Sequence, residues 1–180
     1  MGFDLGHTIS SLSKLALRTK RKNEKIEYEK KKKAASEIID SVLNQFKDKE
    51  SFLETLDKSG RDIISYMISH EDEEKTLKVL EIIEDVNKED KLGNAYLTIA
   101  CLEHKVKVIE KLLDMGANPN HKTNPLLKAL GRRNKENPAI LELFVKYGVN
   151  LKMNIQGNTL EEIIRSFEND NLNKILDTAK

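Results

Sequence analysis

Apolar residues recur at helical spacing from residue 34 onward, in short blocks that are separated by polar turns. The first block forms one stripe with a period of 3.6 residues, consisting of Ala35, Ile38, Ile39, Val42, Leu43 and Phe46. From residue 57 onward the blocks come in pairs. This pattern predicts an all-α protein in which an N-terminal helical segment precedes a series of helix pairs.

The segment 90–122 is the clearest of these pairs. Gly93 follows Asp90 by three residues, where a tight turn needs the positive φ that glycine adopts most easily. Two apolar faces follow at helical spacing, one of Leu97 and Ala100 and the next of Val106, Ile109, Leu112 and Leu113. Gly116 then stands where a left-handed residue commonly ends a helix. Neither helix can bury its stripe alone, so the pair is predicted to stack on similar pairs.

The features of this segment repeat along the chain. Identical residues lie 33 or 32 positions apart in four cases: Asp57 and Asp90, Gly60 and Gly93, Asn87 and Asn120, and Gly116 and Gly148. A sequence repeat of about 33 residues, in which each unit contains a turn and two helices, resembles the repeats of the ankyrin-repeat family. The family pattern is matched at Asp90, Gly93, Leu97, Ala100, Leu112, Leu113, Gly116, Ala117, Asn118 and Asn120. The chain departs from it at Ala95 and Tyr96, where the family usually has Thr and Pro, and the missing N-cap costs about 1 kcal/mol.

The resemblance implies an ankyrin-repeat solenoid of about four helix-turn-helix units with an N-terminal helical cap. We expect a basic helical or partly ordered leader at 1–33, the cap at 34–56 and the repeat domain at 57–180. The predicted units are 57–89, 90–122, 123–153 and 154–180. The terminal units of such arrays usually depart from the repeat pattern, because they cover the exposed ends of the core.

Local signals predict how the individual helices begin and end. In the first unit we expect the second helix to contain Val79, Ile82, Ile83 and Val86, after a solvated acidic loop at 71–74. The third unit lacks the turn with glycine, and an asparagine precedes a proline at the predicted start of each of its helices. These pairs are Asn124–Pro125 and Asn137–Pro138. Thr159 is the predicted N-cap of the last unit.

The composition favours a helical array with small interlocking residues over a β-sandwich or an enzyme with a deep apolar pocket. Charged residues make up 34% of the chain, aromatic residues make up 5%, and there is no Trp. The net charge is +6 over residues 1–33 and −5 over the remainder. Cys101 is the only cysteine, which excludes an intrachain disulfide and predicts a buried packing thiol.

The sequence contains no recognisable catalytic or metal-binding motif. Its four histidines lie in different units, and none is paired with a second His or a Cys at the spacing of a zinc site. There is no nucleophile-elbow serine and no phosphate-binding loop. We therefore expect a non-enzymatic protein without catalytic residues, metal or cofactor.

The ankyrin resemblance implies a protein–protein interaction module, because members of that family bind partners on a concave face formed by turn tips and first helices. Carried over by position, this face would contain Lys58, Ser59, Arg61, Ser69, His70, Lys91, Leu92, Asn94, Leu102, Glu103, Gly131 and Arg132. The partner is expected to be a protein and the chain a monomer. The same residues are also compatible with an ordinary solvent-facing surface, with Leu92 and Leu102 packing between units.

The basic segment 18–33 suggests an alternative. It could be a solvated helix, or it could bind nucleic acid or an anionic membrane surface electrostatically. The composition, rich in Lys, Asn and Ile, resembles that of AT-rich bacteria. Two settings then fit, an effector that acts on host proteins and a cytosolic protein that neutralises or scaffolds a bacterial partner. No signal peptide or membrane span is recognised, so we expect a cytoplasmic location or delivery into a host cell.

Overall fold

The protein is mainly helical, as the sequence predicts. The computed structural model describes residues 5–44, 61–131 and 137–179. These residues form nine α-helices and one short antiparallel hairpin, β1 (Asn154–Ile155) and β2 (Asn158–Thr159). The helices are α1 (Leu5–Asn44), α2 (Ile63–His70), α3 (Glu73–Leu80), α4 (Tyr96–Leu102), α5 (Val106–Asp114), α6 (Pro125–Leu130), α7 (Pro138–Lys146), α8 (Leu160–Arg165) and α9 (Asp170–Thr178).

The helix α1 is far longer than the other helices. Its 40 residues would span about 60 Å at 1.5 Å per residue, and it runs without interruption through the boundary predicted between residues 33 and 34. Every residue from 16 to 34 is exposed. Near the end of the helix, Ala35 and Val42 are buried in an apolar cluster with Met67 and Val79. Residues 45–56 of the predicted cap lie outside the described residues.

The other eight helices form four successive pairs that pack in two layers. Among the first helices of the pairs, α2 packs against α4, and α4 packs against α6. Among the second helices, α3, α5, α7 and α9 pack in that order, and α1 packs against α3. The central core therefore contains residues from both layers, and Leu112 and Phe144 are fully buried in it.

Two hydrogen bonds set the alignment of α2 and α4. The Tyr96 hydroxyl donates to Asp62 at the N-terminal ends of these helices, and Lys105 Nζ donates to the Glu71 carbonyl beyond their C-terminal ends. Each bond joins residues that are 34 positions apart. Because the offset is the same at both ends, the two helices are parallel and in register.

An asparagine bridge occurs twice along the second layer. Asn87 Nδ2 donates to the Gly116 carbonyl at 3.3 Å, and Asn118 N donates to Asn87 Oδ1 at 2.8 Å. The same two bonds, at 3.2 and 2.6 Å, join Asn120 to Gly148 and Asn150. The repetition of Asn87 and Asn120 in the sequence is thus a repetition of one contact between neighbouring pairs.

Several predicted features of the segment 90–122 are confirmed. Gly93 and Gly116 have positive φ values of 76° and 91°. Leu97, Ala100, Ile109, Leu112 and Leu113 are all buried. Cys101 is fully buried as well, and burial raises the pKa of its thiol, as expected for a packing residue.

The predicted position of the second helix in the first unit is wrong. The helix α3 begins at Glu73, inside the expected acidic loop, and ends at Leu80, before Ile82, Ile83 and Val86. Asp72 accepts a hydrogen bond from Lys75 N and caps the helix, and Glu73 and Glu74 lie in its first turn. Acidic side chains are favourable there because they interact with the partial positive charge of a helix N-terminus.

Two of the three predicted caps are confirmed. The Asn137 side chain accepts a bond from Ala139 N, and Thr159 forms a reciprocal capping box with Glu162. Asn124 precedes α6 but makes no side-chain cap bond, because its backbone is left-handed with φ of 53°. Asn124 N donates to the His121 carbonyl at 2.9 Å, so this residue closes the shortened turn.

Candidate partner-binding surface

The turn before α4 contains an exposed leucine, Leu92, and is held by several hydrogen bonds within the turn. The Asp90 carboxylate accepts hydrogen bonds from the backbone N–H groups of Leu92 and Asn94, at 2.9 and 2.8 Å. Gly93 N donates to the Asp90 carbonyl at 2.9 Å. The turn therefore holds its own conformation, and it leaves the Leu92 side chain 73% exposed.

The predicted residues on the first helices lie at the C-terminal ends of those helices. Ser69 and His70 end α2, and the His70 ring stacks on Tyr66 with ring centres 4.3 Å apart. Leu102 ends α4, and Glu103 is its C-cap residue. Since α2 and α4 are parallel and in register, these two sets occupy equivalent places in one layer.

The structure places the remaining predicted surface residues as follows. Gly131 is the exposed C-cap residue of α6, which packs beside α4. Arg61 and Lys91 are exposed. Asn94 is only partly exposed, because its side chain donates to the Asp90 carboxylate and helps to hold the turn. The remaining three, Lys58, Ser59 and Arg132, lie outside the described residues.

The interaction between Asp62 and Tyr96 was not anticipated from the sequence. Asp62 Oδ1 accepts a bond from Ser65 N and caps α2, while Oδ2 accepts bonds from the Tyr96 hydroxyl at 2.6 Å and from Lys88 Nζ at 2.8 Å. Tyr96 stands where the ankyrin pattern has proline. The sequence contains one indication of this contact. Tyr96 lies within an apolar helix, and a buried tyrosine hydroxyl normally requires a hydrogen-bond partner.

These contacts determine which groups are ionised. Burial alone would raise the pKa of Asp62, but hydrogen bonds from Lys88, Tyr96 and Ser65 hold it below the usual value. Burial, followed by the hydrogen bond to Asp62, raises the pKa of the Tyr96 hydroxyl far above its usual value. Asp62 is therefore an anion and Tyr96 a neutral donor at neutral pH.

A second polar network lies beside the shortened turn of the third unit. His121 is 8% exposed; its Nε2 lies 3.0 Å from Glu89 Oε1 and its Nδ1 lies 2.8 Å from Thr123 Oγ1. Lys122 Nζ donates to Glu89 Oε2 at 2.7 Å. Hydrogen bonds from Lys122 and then His121 lower the pKa of the Glu89 carboxyl group. The network connects the loop before α4 to the loop before α6.

Two kinds of feature, a metal-binding cluster and a membrane-spanning helix, are absent from the described residues. No group of three or more His, Cys, Asp or Glu side chains is placed to hold a metal ion in residues 5–44, 61–131 and 137–179. No helix in those same ranges combines the length and the apolar character needed to cross a membrane.

Comparison with known proteins adds no assignment: no protein-family model matches the chain, and no curated protein matches it at a significant level.

Proposed function

We propose that the chain is a non-enzymatic ankyrin-type module that binds a partner protein through its turn tips and first helices. The parallel register of α2 and α4 and the repeated asparagine bridge support the ankyrin arrangement. We call the binding region the tip surface and define it by the described exposed or half-buried residues of the predicted set. These are Arg61, Ser69, His70, Lys91, Leu92, Asn94, Leu102, Glu103 and Gly131.

The observation that best supports this proposal is the exposure of Leu92. Its side chain is 73% exposed, although the turn that bears it is fixed by bonds to Asp90. Burying a leucine side chain in an interface yields roughly 1.5–3 kcal/mol. A preformed turn loses little conformational entropy on binding, so most of that free energy would contribute to affinity.

The residues around Leu92 would supply specificity. Arg61 and Lys91 are charged and exposed at the N-terminal end of the first-helix layer, where Leu92 also lies, so they would form part of a polar rim around that leucine. A central apolar or aromatic anchor with a polar rim is the usual arrangement at protein interfaces. Such a surface would serve a bacterial effector as well as a scaffolding or neutralising protein.

The test uses a photo-crosslinking amino acid at Leu92 and, as a control, at Leu17, which is 57% exposed on α1. Partners captured at position 92 but not at position 17 are identified by mass spectrometry and purified. Leu92→Asp should then weaken binding of the purified partner at least tenfold, while Leu17→Asp should leave it unchanged. Equal capture at both positions, or equal affinity of both variants, would contradict the proposal.

A further inference from the structure

The charged residues of α1 are distributed unevenly around the helix axis. Lys31 defines one side, because its Nζ lies 2.9 Å from Glu81 Oε2 on the body of the protein. At 3.6 residues per turn, Glu24 and Glu27 lie within roughly 40° of Lys31 around the helix axis. Asn23, Glu24, Glu27 and Tyr28 line one cleft with Lys31 and Glu81, which agrees with this placement.

The opposite side of α1 has a row of basic residues. Six of them lie between roughly 80° and 200° from Lys31 in the same direction around the axis. We call this row the basic stripe, and it consists of Arg18, Arg21, Lys22, Lys25, Lys32 and Lys33. Only Glu29 interrupts it, so two of the three glutamates in residues 18–33 do not weaken it directly.

The basic stripe is accessible to a partner. All residues from 16 to 34 are exposed. Among the described residues, one ion pair involves a residue of the stripe: Lys33 Nζ lies 4.0 Å from Glu37 Oε1. Both side chains are more than half exposed. An exposed pair of this kind contributes little free energy and would be displaced easily.

We propose that the basic stripe binds the backbone of duplex DNA, with α1 lying in the major groove. The stripe is about 22 Å long, from Arg18 to Lys33, and a DNA duplex presents one negative charge per roughly 1.7 Å. A helix about 10–12 Å across fits a major groove about 12 Å wide. The deep, narrow major groove of duplex RNA does not accept a helix in this way.

The described residues favour DNA over an anionic membrane. A helix that lies in a membrane surface needs its apolar side chains on one face. Three large apolar side chains are exposed among those that the structure describes on α1, namely Leu17, Ile26 and Tyr28. Leu17 and Tyr28 lie on the side of Lys31, and Ile26 lies roughly 180° from Leu17 around the axis. They cannot enter a bilayer together, whereas a phosphate backbone requires only the cations.

The binding predicted here depends strongly on salt. Six cations, offset by one glutamate, correspond to about five neutralised phosphates and a slope of log K against log salt concentration of about −5. Affinity should therefore fall by about three orders of magnitude between 50 and 200 mM KCl. This binding does not require a side chain that contacts the base edges, so DNA of random sequence should bind.

The experiment measures fluorescence anisotropy of a 20-base-pair DNA duplex with the full chain from 50 to 300 mM KCl. Lys22→Gln with Lys25→Gln removes two charges from the stripe. The matched control, Lys20→Gln with Lys30→Gln, removes two charges from the same helix outside the stripe. The stripe variant should reduce the slope by about two units, and the control should reduce it by less than half as much.

Three results would overturn the proposal. Equal effects of the two double variants would mean that net charge, and not the stripe, determines binding. Equal affinity for an RNA duplex of the same sequence would exclude insertion into the DNA major groove. Binding to phosphatidylcholine vesicles with 30% phosphatidylserine, together with no binding to DNA, would assign the helix to membranes. Circular dichroism checks that both variants retain the helix content of the parent protein.

Discussion

The hydroxyl group of Tyr96 donates a hydrogen bond of 2.6 Å to the carboxylate of Asp62, which lies 34 residues earlier in the chain. The same carboxylate caps α2, so one side chain both begins a helix and joins it to the next helix in its layer. Tyr96 stands where the ankyrin pattern has proline, so the resemblance alone does not predict this contact.

Tyr96→Phe should lower the free energy of unfolding by about 1.5–3 kcal/mol, because it removes a hydrogen bond to a half-buried charged group. The measurement is urea denaturation followed by circular dichroism. Tyr28→Phe serves as the control, since Tyr28 is 44% exposed on α1 and should change the value by less than about 0.5 kcal/mol. Similar values for the two variants would show that the Tyr96 bond does not contribute to stability.

The stability of the protein should depend on pH through Asp62. Its pKa is lower in the folded protein than the ordinary value of 3.8, so the unfolded chain binds the proton more tightly. Its contribution to stability is therefore present above pH 4 and is lost as the pH falls through the folded-state pKa. Urea denaturation between pH 2.5 and 6 should show a shallower acid dependence for Asp62→Asn than for the parent protein. The acid dependence of Tyr96→Phe should lie between those of Asp62→Asn and the parent protein. Identical slopes of stability against pH for all three proteins would contradict the role assigned to Asp62.

Leu112→Ala should lower the free energy of unfolding by about 2–5 kcal/mol, through lost burial and the cavity that remains. Leu112 is fully buried in α5, where it packs in the core between the two layers. The control is Leu92→Ala, which removes the same atoms from an exposed site and should change stability by less than about 0.5 kcal/mol. If the two variants were equally stable, the core would not be centred on α5.

Asn120→Ala should lower the free energy of unfolding by about 1–3 kcal/mol, because it removes two hydrogen bonds to the neighbouring loop. Asn87→Ala removes the equivalent two bonds one period earlier and should have a similar effect. Asn158→Ala, at an exposed position in the hairpin, is the control in the same denaturation assay. If the effect of either bridge variant were no larger than that of the control, the bridges would form without stabilising the protein.

Much of the helical pattern could be predicted from the sequence, because the apolar stripes are regular and the glycines mark positive φ values. The position of α3 was missed because the acidic residues Glu73 and Glu74 were interpreted by charge alone, and not as the favourable first turn of a helix. Asn124 was mistaken for a cap because asparagine suits both a cap and a left-handed turn, and only the shortened loop decides between them.

The tip surface stays a prediction, and the structure shows contacts among its residues that the sequence did not indicate. Asn94 belongs to the predicted set, and its side chain also bonds to Asp90 within the turn. The contact between Asp62 and Tyr96 depends on the register of two helices, and no local pattern reveals that register. The ion pair between Lys31 and Glu81 identifies the side of α1 that faces the body of the protein, and no local pattern in the sequence indicates this contact.

The asparagine bridge also indicates where the protein should begin to open. The series runs from Asn87 to Asn120, and the next equivalent position is Lys152, because the backbone N–H groups of all three residues bond to the side chain two positions earlier. The Lys152 side chain has no amide group to form the bridge. The segment 154–179 is therefore attached to its neighbour without this contact. In hydrogen exchange we expect the amides of α8 and α9 to lose protection first, and those of α4 and α5, which have bridges on both sides, to exchange last.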